Sequence, residues 1–234
     1  MSLATNLPPL AVLFDYDGTL VDTEGYWMRA EIEQLGAFGV PWTMEQAAHL
    51  CGTSREFSVK TLYGQMSAHG VDVSQIDDDA FYEFQCQFVI DCVRRDGLPW
   101  LPGAKRLLED LAANQIPGAV VSSSPGHVLE PGLGAFPPGA ISVVVDGRMV
   151  ARNKPDPESY KLAAERLGVD PVDCVVIEDS VSGAAAGLAA GAVVLTVPSR
   201  QSVPPRPGQI ALPGLEGVDV ARLRQLFAQA RGAA

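Results

Sequence analysis

Five short apolar runs set what this chain can fold into: Leu10–Phe14, Gly118–Val121, Ile141–Val145, Cys174–Ile177 and Val193–Val197. Each has the length of a strand buried on both faces and is bounded by turn-forming or charged residues. Helical patterns lie between them. Ala104, Leu107, Leu108 and Leu111 recur at i, i+3, i+4 and i+7, and so do Tyr160, Ala163, Ala164 and Leu167. Strands alternating with helices imply an α/β fold, a doubly wound parallel sheet in which sites form outside the carboxyl ends of the strands.

One stretch interrupts the alternation. Between Asp22 and Leu98 there is little strand signal, while Val59, Leu62, Tyr63 and Met66 form one helical stripe and Phe81, Phe84, Phe88 and Cys92 another. Thr43 with Gln46 spells a capping box, and Ser54 is placed to cap the helix carrying the first stripe. The reading is an α-helical domain over residues 22–98 inserted into a core formed by residues 1–21 and 99–234, with Gly97–Pro102 as the return linker. "VVVDGRMV" fits either a hairpin or a parallel strand ending at Asp146. The Pro-rich span Pro198–Pro213 reads as an exposed connection to a final strand-like piece and helix over Asp219–Ala230.

The formal net charge of −11 leaves no clustered basic surface for a nucleic-acid partner. No apolar run approaches the roughly 20 residues of a membrane helix, and no signal pattern opens the chain. A soluble, cytoplasmic monomer is the expectation. The cysteines, Cys51, Cys86, Cys92 and Cys174, include no C-x-x-C pair and read as buried thiols. His49, His69 and His127 are too scattered to suggest a catalytic set.

Polar residues gather where the apolar runs end: Asp15 and Asp17 after the first, Ser122 after the second, Glu178–Asp179 after the fourth, with Lys154 ahead of "PDPESY". Oxygen donors of this kind suit Mg²⁺, and a site with few carboxylates leaves room for water and a substrate phosphate. A cation there would also let an acidic protein accept an anion. Lys154 and the serine turn could neutralise the remaining phosphoryl oxygens.

In order and in position, these residues resemble the haloacid dehalogenase superfamily. "DYDGT" (Asp15–Thr19) matches its first motif, Ser122 in "AVVSSS" its second, Lys154 its third and "EDSVSGAAAGLAAGA" its fourth. The resemblance covers essentially the whole chain and implies a Rossmann-like core with the helical insertion as a small cap. It implies that Asp15 is the nucleophile and Asp17 the general acid and then base. Ser122, Ser123 and Lys154 would bind phosphate. Mg²⁺ would be held by Asp15, the Asp17 backbone carbonyl and Asp179, with Glu178 either a ligand or a partner behind the ligands.

Asp17 narrows the choice within the superfamily. Dehalogenating members lack this second aspartate because a halide departs without a proton, so its presence points to phosphate esters. Phosphonate-cleaving relatives use a cap lysine where "LCGTSREF" holds Arg55, which cannot form an imine. The loop "GTSR" and the segment "VDTEGYW" resemble β-phosphoglucomutase, with Thr23 matching and Trp27 standing where the mutase has a histidine. The expected function is Mg²⁺-dependent hydrolysis of a small phosphorylated metabolite, with a sugar phosphate favoured and Arg55 and Thr23 on the substrate side. A phosphosugar mutase is the alternative, and a receiver-like phosphoacceptor module a third reading.

Overall fold

The computed structural model describes residues 8–198 and 202–232. The rest, among them residues 1–7 of the expected core and 199–201 of the Pro-rich span, lie outside the described residues. Six strands form one sheet: β1 (Ala11–Phe14), β2 (Gly118–Val121), β3 (Ile141–Val145), β4 (Cys174–Glu178), β5 (Val193–Thr196) and β6 (Gln209–Ala211). Their spatial order is β3-β2-β1-β4-β5-β6, and every neighbouring pair is parallel. The chain winds outward from β1 through β2 to β3, then crosses back to β4. The direction of winding therefore reverses between β1 and β4, which opens a crevice at their carboxyl ends.

Side chains of β1 alternate between two helical layers. Val12 and Phe14 join the apolar cluster that includes α5 (Ala104–Ala113) and α9 (Val220–Ala230), whereas Ala11 and Leu13 join the one that includes α7 (Glu158–Leu167) and α8 (Val181–Ala190). Helix α6 (Gly126–Leu133) follows β2. Burial on both faces is why β1, β2, β4 and β5 read as continuous apolar stretches, while β3, at the sheet edge, is only partly buried.

One reading of the core is corrected, and one that the sequence left open is decided. The strand β6 lies inside the Pro-rich span rather than beyond it. Its position at the sheet edge tolerates the prolines beside it, because an edge strand has one side free of ladder bonds. "VVVDG" is no hairpin: Val145 ends a strand parallel to β2, and Asp146 closes a local turn by accepting from Arg148 N at 2.7 Å.

Four helices lie between β1 and α5: α1 (Glu24–Ala37), α2 (Met44–Ala48), α3 (Arg55–Ala68) and α4 (Asp78–Asp96). They have an apolar cluster of their own containing Leu35, Leu62, Met66 and Phe81. Thr43 and Gln46 form the reciprocal capping box, and Ser54 accepts from Phe57 N. The stripe on α4 differs from its sequence reading. Phe81 and Cys92 are buried as expected, but the buried face also runs through Gln85, Cys86, Val89, Ile90 and Val93, while Phe84 is 43% exposed. A helix turned to meet both α1 and α6 leaves Phe84 outside that contact. The four cysteines are free and buried.

Polar bonds join α1 to α4 inside this helical layer. Gln34 Nε2 donates to Phe81 O at 2.6 Å, and Gln85 Nε2 donates to Gln34 Oε1 at 2.7 Å. Gln34→Leu strands the buried Gln85 amide and is expected to lower stability by about 1–3 kcal/mol. In Gln34→Leu/Gln85→Leu both partners are gone, and most of that loss is expected to return. Urea midpoints of the singles and the double check the cycle; a purely additive double would contradict the assigned bond.

Candidate active site

The crevice between β1 and β4 holds the polar residues that the strands deliver. Asp15 follows β1, and its backbone N–H donates to Ile177 O at 3.0 Å, which fixes it beside Glu178 at the end of β4. Ser122 follows β2 in the same way, with its N–H on Val145 O at 3.0 Å. Lys154 reaches in from the loop before α7. Its ammonium donates to Asp15 Oδ1 at 2.6 Å, Glu178 Oε1 at 2.7 Å and Val121 O at 2.9 Å. Three protons meet three acceptors.

Glu178 is fully buried and both of its oxygens are engaged. Oε1 accepts from Lys154 and from Tyr160 Oη at 2.7 Å, while Oε2 accepts from Asp179 N, Ser180 N and Ser180 Oγ at 3.1, 3.1 and 2.9 Å. The carboxylate thus sits under the amino end of α8, where helix N–H groups and the dipole favour negative charge. Gly183 makes this possible: a Cβ there would lie 1.6 Å from Glu178 Oε1. Burial pushes the Glu178 pKa up, but Lys154 and the other donors outweigh it, so the net shift is downward. Lys154 is shifted upward, because Asp15 and Glu178 together overcome the effect of its burial.

Asp15, Glu178 and Asp179 bring carboxylate oxygens within 4.8 Å of one another. One ammonium does not balance them. Burial pushes the Asp15 carboxyl up to about 7 against the pull of Lys154, with Glu178 and Asp17 adding to the rise. It pushes Asp179 up to about 9, reinforced by Asp15, Glu178 and Glu24. Hard oxygen donors with an excess of buried negative charge fit a divalent cation. With Glu178 saturated by its donors, Asp15 and Asp179 are the carboxylates left to face one. Gly18, at φ 83°, allows the approach, since a Cβ on it would lie 2.2 Å from Asp179 Oδ2.

Asp17 stands outside that cluster. Its Oδ1 accepts from Thr23 Oγ1 and, at 3.4 Å, from Trp27 Nε1; its Oδ2 accepts from Ser124 Oγ at 2.9 Å and Ser122 Oγ at 3.3 Å. Thr23 therefore sits on Asp17 rather than along the cavity wall. Ser122 also accepts from Ser124 N at 3.0 Å. Ser123 is exposed and lines the cavity edge, and it is Ser124 whose hydroxyl turns toward Asp17.

A cavity of about 330 Å³ covers this floor, with walls from both the sheet side and the helical layer. Arg55 lines it, but its guanidinium donates to Asp79 Oδ1 at 2.6 Å and Asp78 O at 3.1 Å and lies over the Tyr82 ring. Its partners are within the helical layer, so it neither pins that layer to the sheet nor points at Asp15. The two parts meet elsewhere: Glu83 of α4 pairs with His127 Nε2 of α6 at 3.0 Å. Sequence reasoning missed Tyr160, which read as part of a packing stripe, and gave no role to Trp27 beyond its departure from the mutase pattern. An indole N–H near an acid leaves no trace in apolar periodicity.

Comparison with known proteins agrees with this arrangement. The family model described as haloacid dehalogenase-like hydrolase matches residues 9–191. The chain is 32% identical over 204 residues to the bifunctional riboflavin kinase/FMN phosphatase of Arabidopsis thaliana, covering 85% of this chain and 52% of that protein. It thus spans about half the length of that relative. It is 32% identical over 197 residues to hexitol phosphatase A of Escherichia coli, covering 82% of this chain and 84% of that one. Among solved structures, CbbY of Rhodobacter sphaeroides in complex with xylulose-(1,5)bisphosphate superposes with a TM-score of 0.77 at 25% identity, over 91% of this chain and 98% of that one. The β-phosphoglucomutase of Clostridium difficile shares the fold, with a TM-score of 0.73 at 21% identity over 95% of this chain and 98% of that one. A buried lysine bridging two strand-end acids, on a sheet of this order and under a family match that spans most of its length, makes this chain a member of the haloacid dehalogenase-like hydrolases.

Proposed function

We propose that the chain is a Mg²⁺-dependent phosphomonoester hydrolase that acts on a small phosphorylated sugar or polyol through an aspartyl phosphate on Asp15. The observation that carries this reading is the convergence of Asp15, Lys154 and Asp179 on one cavity floor, with Asp17 one residue beyond Asp15's neighbour. The phosphatase names of its relatives, among them 6-phosphogluconate phosphatase of E. coli, favour the same class.

In this mechanism a free oxygen of Asp15 attacks phosphorus, and the P–O bond to the leaving alkoxide breaks. Asp17, released from its serine and indole partners, gives the alkoxide its proton. It then takes a proton from the water that attacks phosphorus of the acyl phosphate, which regenerates Asp15 and frees inorganic phosphate. Lys154 stays in place as a fixed positive charge beside Asp15 and offsets charge on the phosphoryl oxygens. A Mg²⁺ held by Asp15, Asp179 and the Asp17 carbonyl would supply further charge neutralisation. Residues 22–98 act here as a cap that covers the site while the ester is cleaved and admits water once the alcohol has left. No helix among the described residues is long and apolar enough to cross a membrane.

Asp15→Asn is expected to reduce phosphate release to background for every ester while leaving the melting transition in place. Activity above a trace would remove Asp15 from the nucleophile's role. Product analysis separates the two chemistries: isomeric sugar phosphate accumulating without free phosphate would put a mutase in place of the hydrolase.

A second expectation concerns the excess charge. A carboxyl whose pKa is raised by folding costs nothing while protonated, and its cost grows as pH rises from the unfolded value of 3.8 through about 9 for Asp179. In chelator, Asp179→Asn is therefore expected to match the parent near pH 4 and to exceed its stability by more than ~1 kcal/mol at pH 9. Mg²⁺ should raise the melting temperature of the parent at pH 8 and leave Asp179→Asn nearly unmoved. Equal Mg²⁺ shifts in both proteins would contradict the metal assignment.

A further inference from the structure

Helix α1 presents Glu24, Trp27, Met28 and Glu31 to the cavity, at positions i, i+3, i+4 and i+7 of one face. The two ends of that face meet different parts of the cavity. At the near end Thr23 and Trp27 hold Asp17. At the far end Glu31 is 6% exposed, and its Oε2 accepts from Trp42 Nε1 at 3.1 Å.

A buried carboxylate normally has a cation or several donors around it. Burial pushes Glu31 up to about 7, the Trp42 bond pulls the other way, and no cation contributes. One neutral indole leaves most of the carboxyl's roughly four acceptor sites unused. Glu31 lies eight residues, about 12 Å of helix axis, beyond Thr23, which touches Asp17. That is too far for a two-carbon ester whose phosphate sits at Asp15, and it suits an extended chain of five or six carbons.

We propose that Glu31 is a specificity-determining residue: its carboxyl accepts hydrogen bonds from hydroxyl groups at the far end of a five- or six-carbon chain, and it disfavours a second phosphate there. The assignment rests on the phosphatase reading of Asp15 and narrows it to monophosphates of polyhydroxylated chains. Arg55, turned to Asp79, does not offset the acidic end of the cavity.

The test compares the parent, Glu31→Leu and Glu31→Gln on glucitol 6-phosphate, fructose 1,6-bisphosphate and p-nitrophenyl phosphate, measuring kcat and KM. Glu31→Leu is expected to lower the ratio of kcat/KM for glucitol 6-phosphate to that for the nitrophenyl ester by roughly tenfold to a hundredfold, chiefly through KM. Glu31→Gln keeps an oxygen for Trp42 and removes the charge, so its rate on the bisphosphate relative to the monophosphate should rise. An unchanged ratio in Glu31→Leu, or equal losses on both monoesters in a protein that melts like the parent, overturns the assignment. Should Glu31→Leu fail to fold, Glu31→Gln decides alone, and an unchanged bisphosphate-to-monophosphate ratio overturns it. A parent that frees phosphate from none of the three would instead sink the phosphatase reading itself, and no variant is needed to see that.

Discussion

The site depends on the Lys154 ammonium. It is buried between Asp15 and Glu178, and its third proton is spent on the carbonyl of Val121. Removing the ammonium would leave two buried carboxylates with no cation to answer them, which is far more costly than the pairing is stabilising. The loop before α7 is therefore tied at once to the ends of β1, β2 and β4. Because all three protons are used, Lys154 acts on a group at Asp15 chiefly as a fixed charge close by, in a place where little water screens it. Orientation falls to the serine turn and to whatever Asp179 helps hold.

Glu178 has a supporting part in that arrangement. Its five donors would have to be broken before it could turn toward an ion, and they include two backbone N–H groups just ahead of α8 and the Tyr160 hydroxyl. Its neighbour Asp179 has the opposite surroundings: buried, crowded by other carboxylates, and pushed up in pKa. Two adjacent acids thus differ because one lies under the amino end of α8 and the other faces the crevice. Sequence spacing alone could not separate them, since both follow the same apolar run.

How much was legible depended on what kind of signal each residue carries. Strands buried on both faces announce themselves as apolar runs, so Asp15, Ser122 and Asp179 could be placed at strand ends before any geometry was known. The strand Gln209–Ala211 could not: three residues at a sheet edge, preceded by Pro204, Pro205 and Pro207, have neither the length nor the apolar content of the others. Tyr160 was read as packing, and it does pack, but its hydroxyl meets Glu178 only because α7 lies over β1, β2 and β3, beside the end of β4. Phe84 misled for the converse reason. Its spacing matched a stripe, yet the face of α4 was set by the two helices it touches. Ser124 and Ser123 are alternatives that a turn decides, and hydropathy does not register turns.

The first helix after β1 links the chemistry to the substrate. Its first turn supplies Trp27 and, just before it, Thr23, both bonded to one oxygen of Asp17. One turn after Trp27 the same face carries Glu31, and one turn beyond that Gln34 fastens the helix to Phe81 of α4. A helix is stiff over this length, so a displacement at its far end is carried to its near end rather than absorbed between them. In the proposed mechanism Asp17 would have to leave Thr23 and Trp27, or carry them with it, before serving a leaving oxygen. A ligand that draws on Glu31 would pull on the element that restrains the acid. On the reading proposed for Glu31 and Asp17, one helix carries both the residue that would meet the far end of a substrate and the groups that hold the acid.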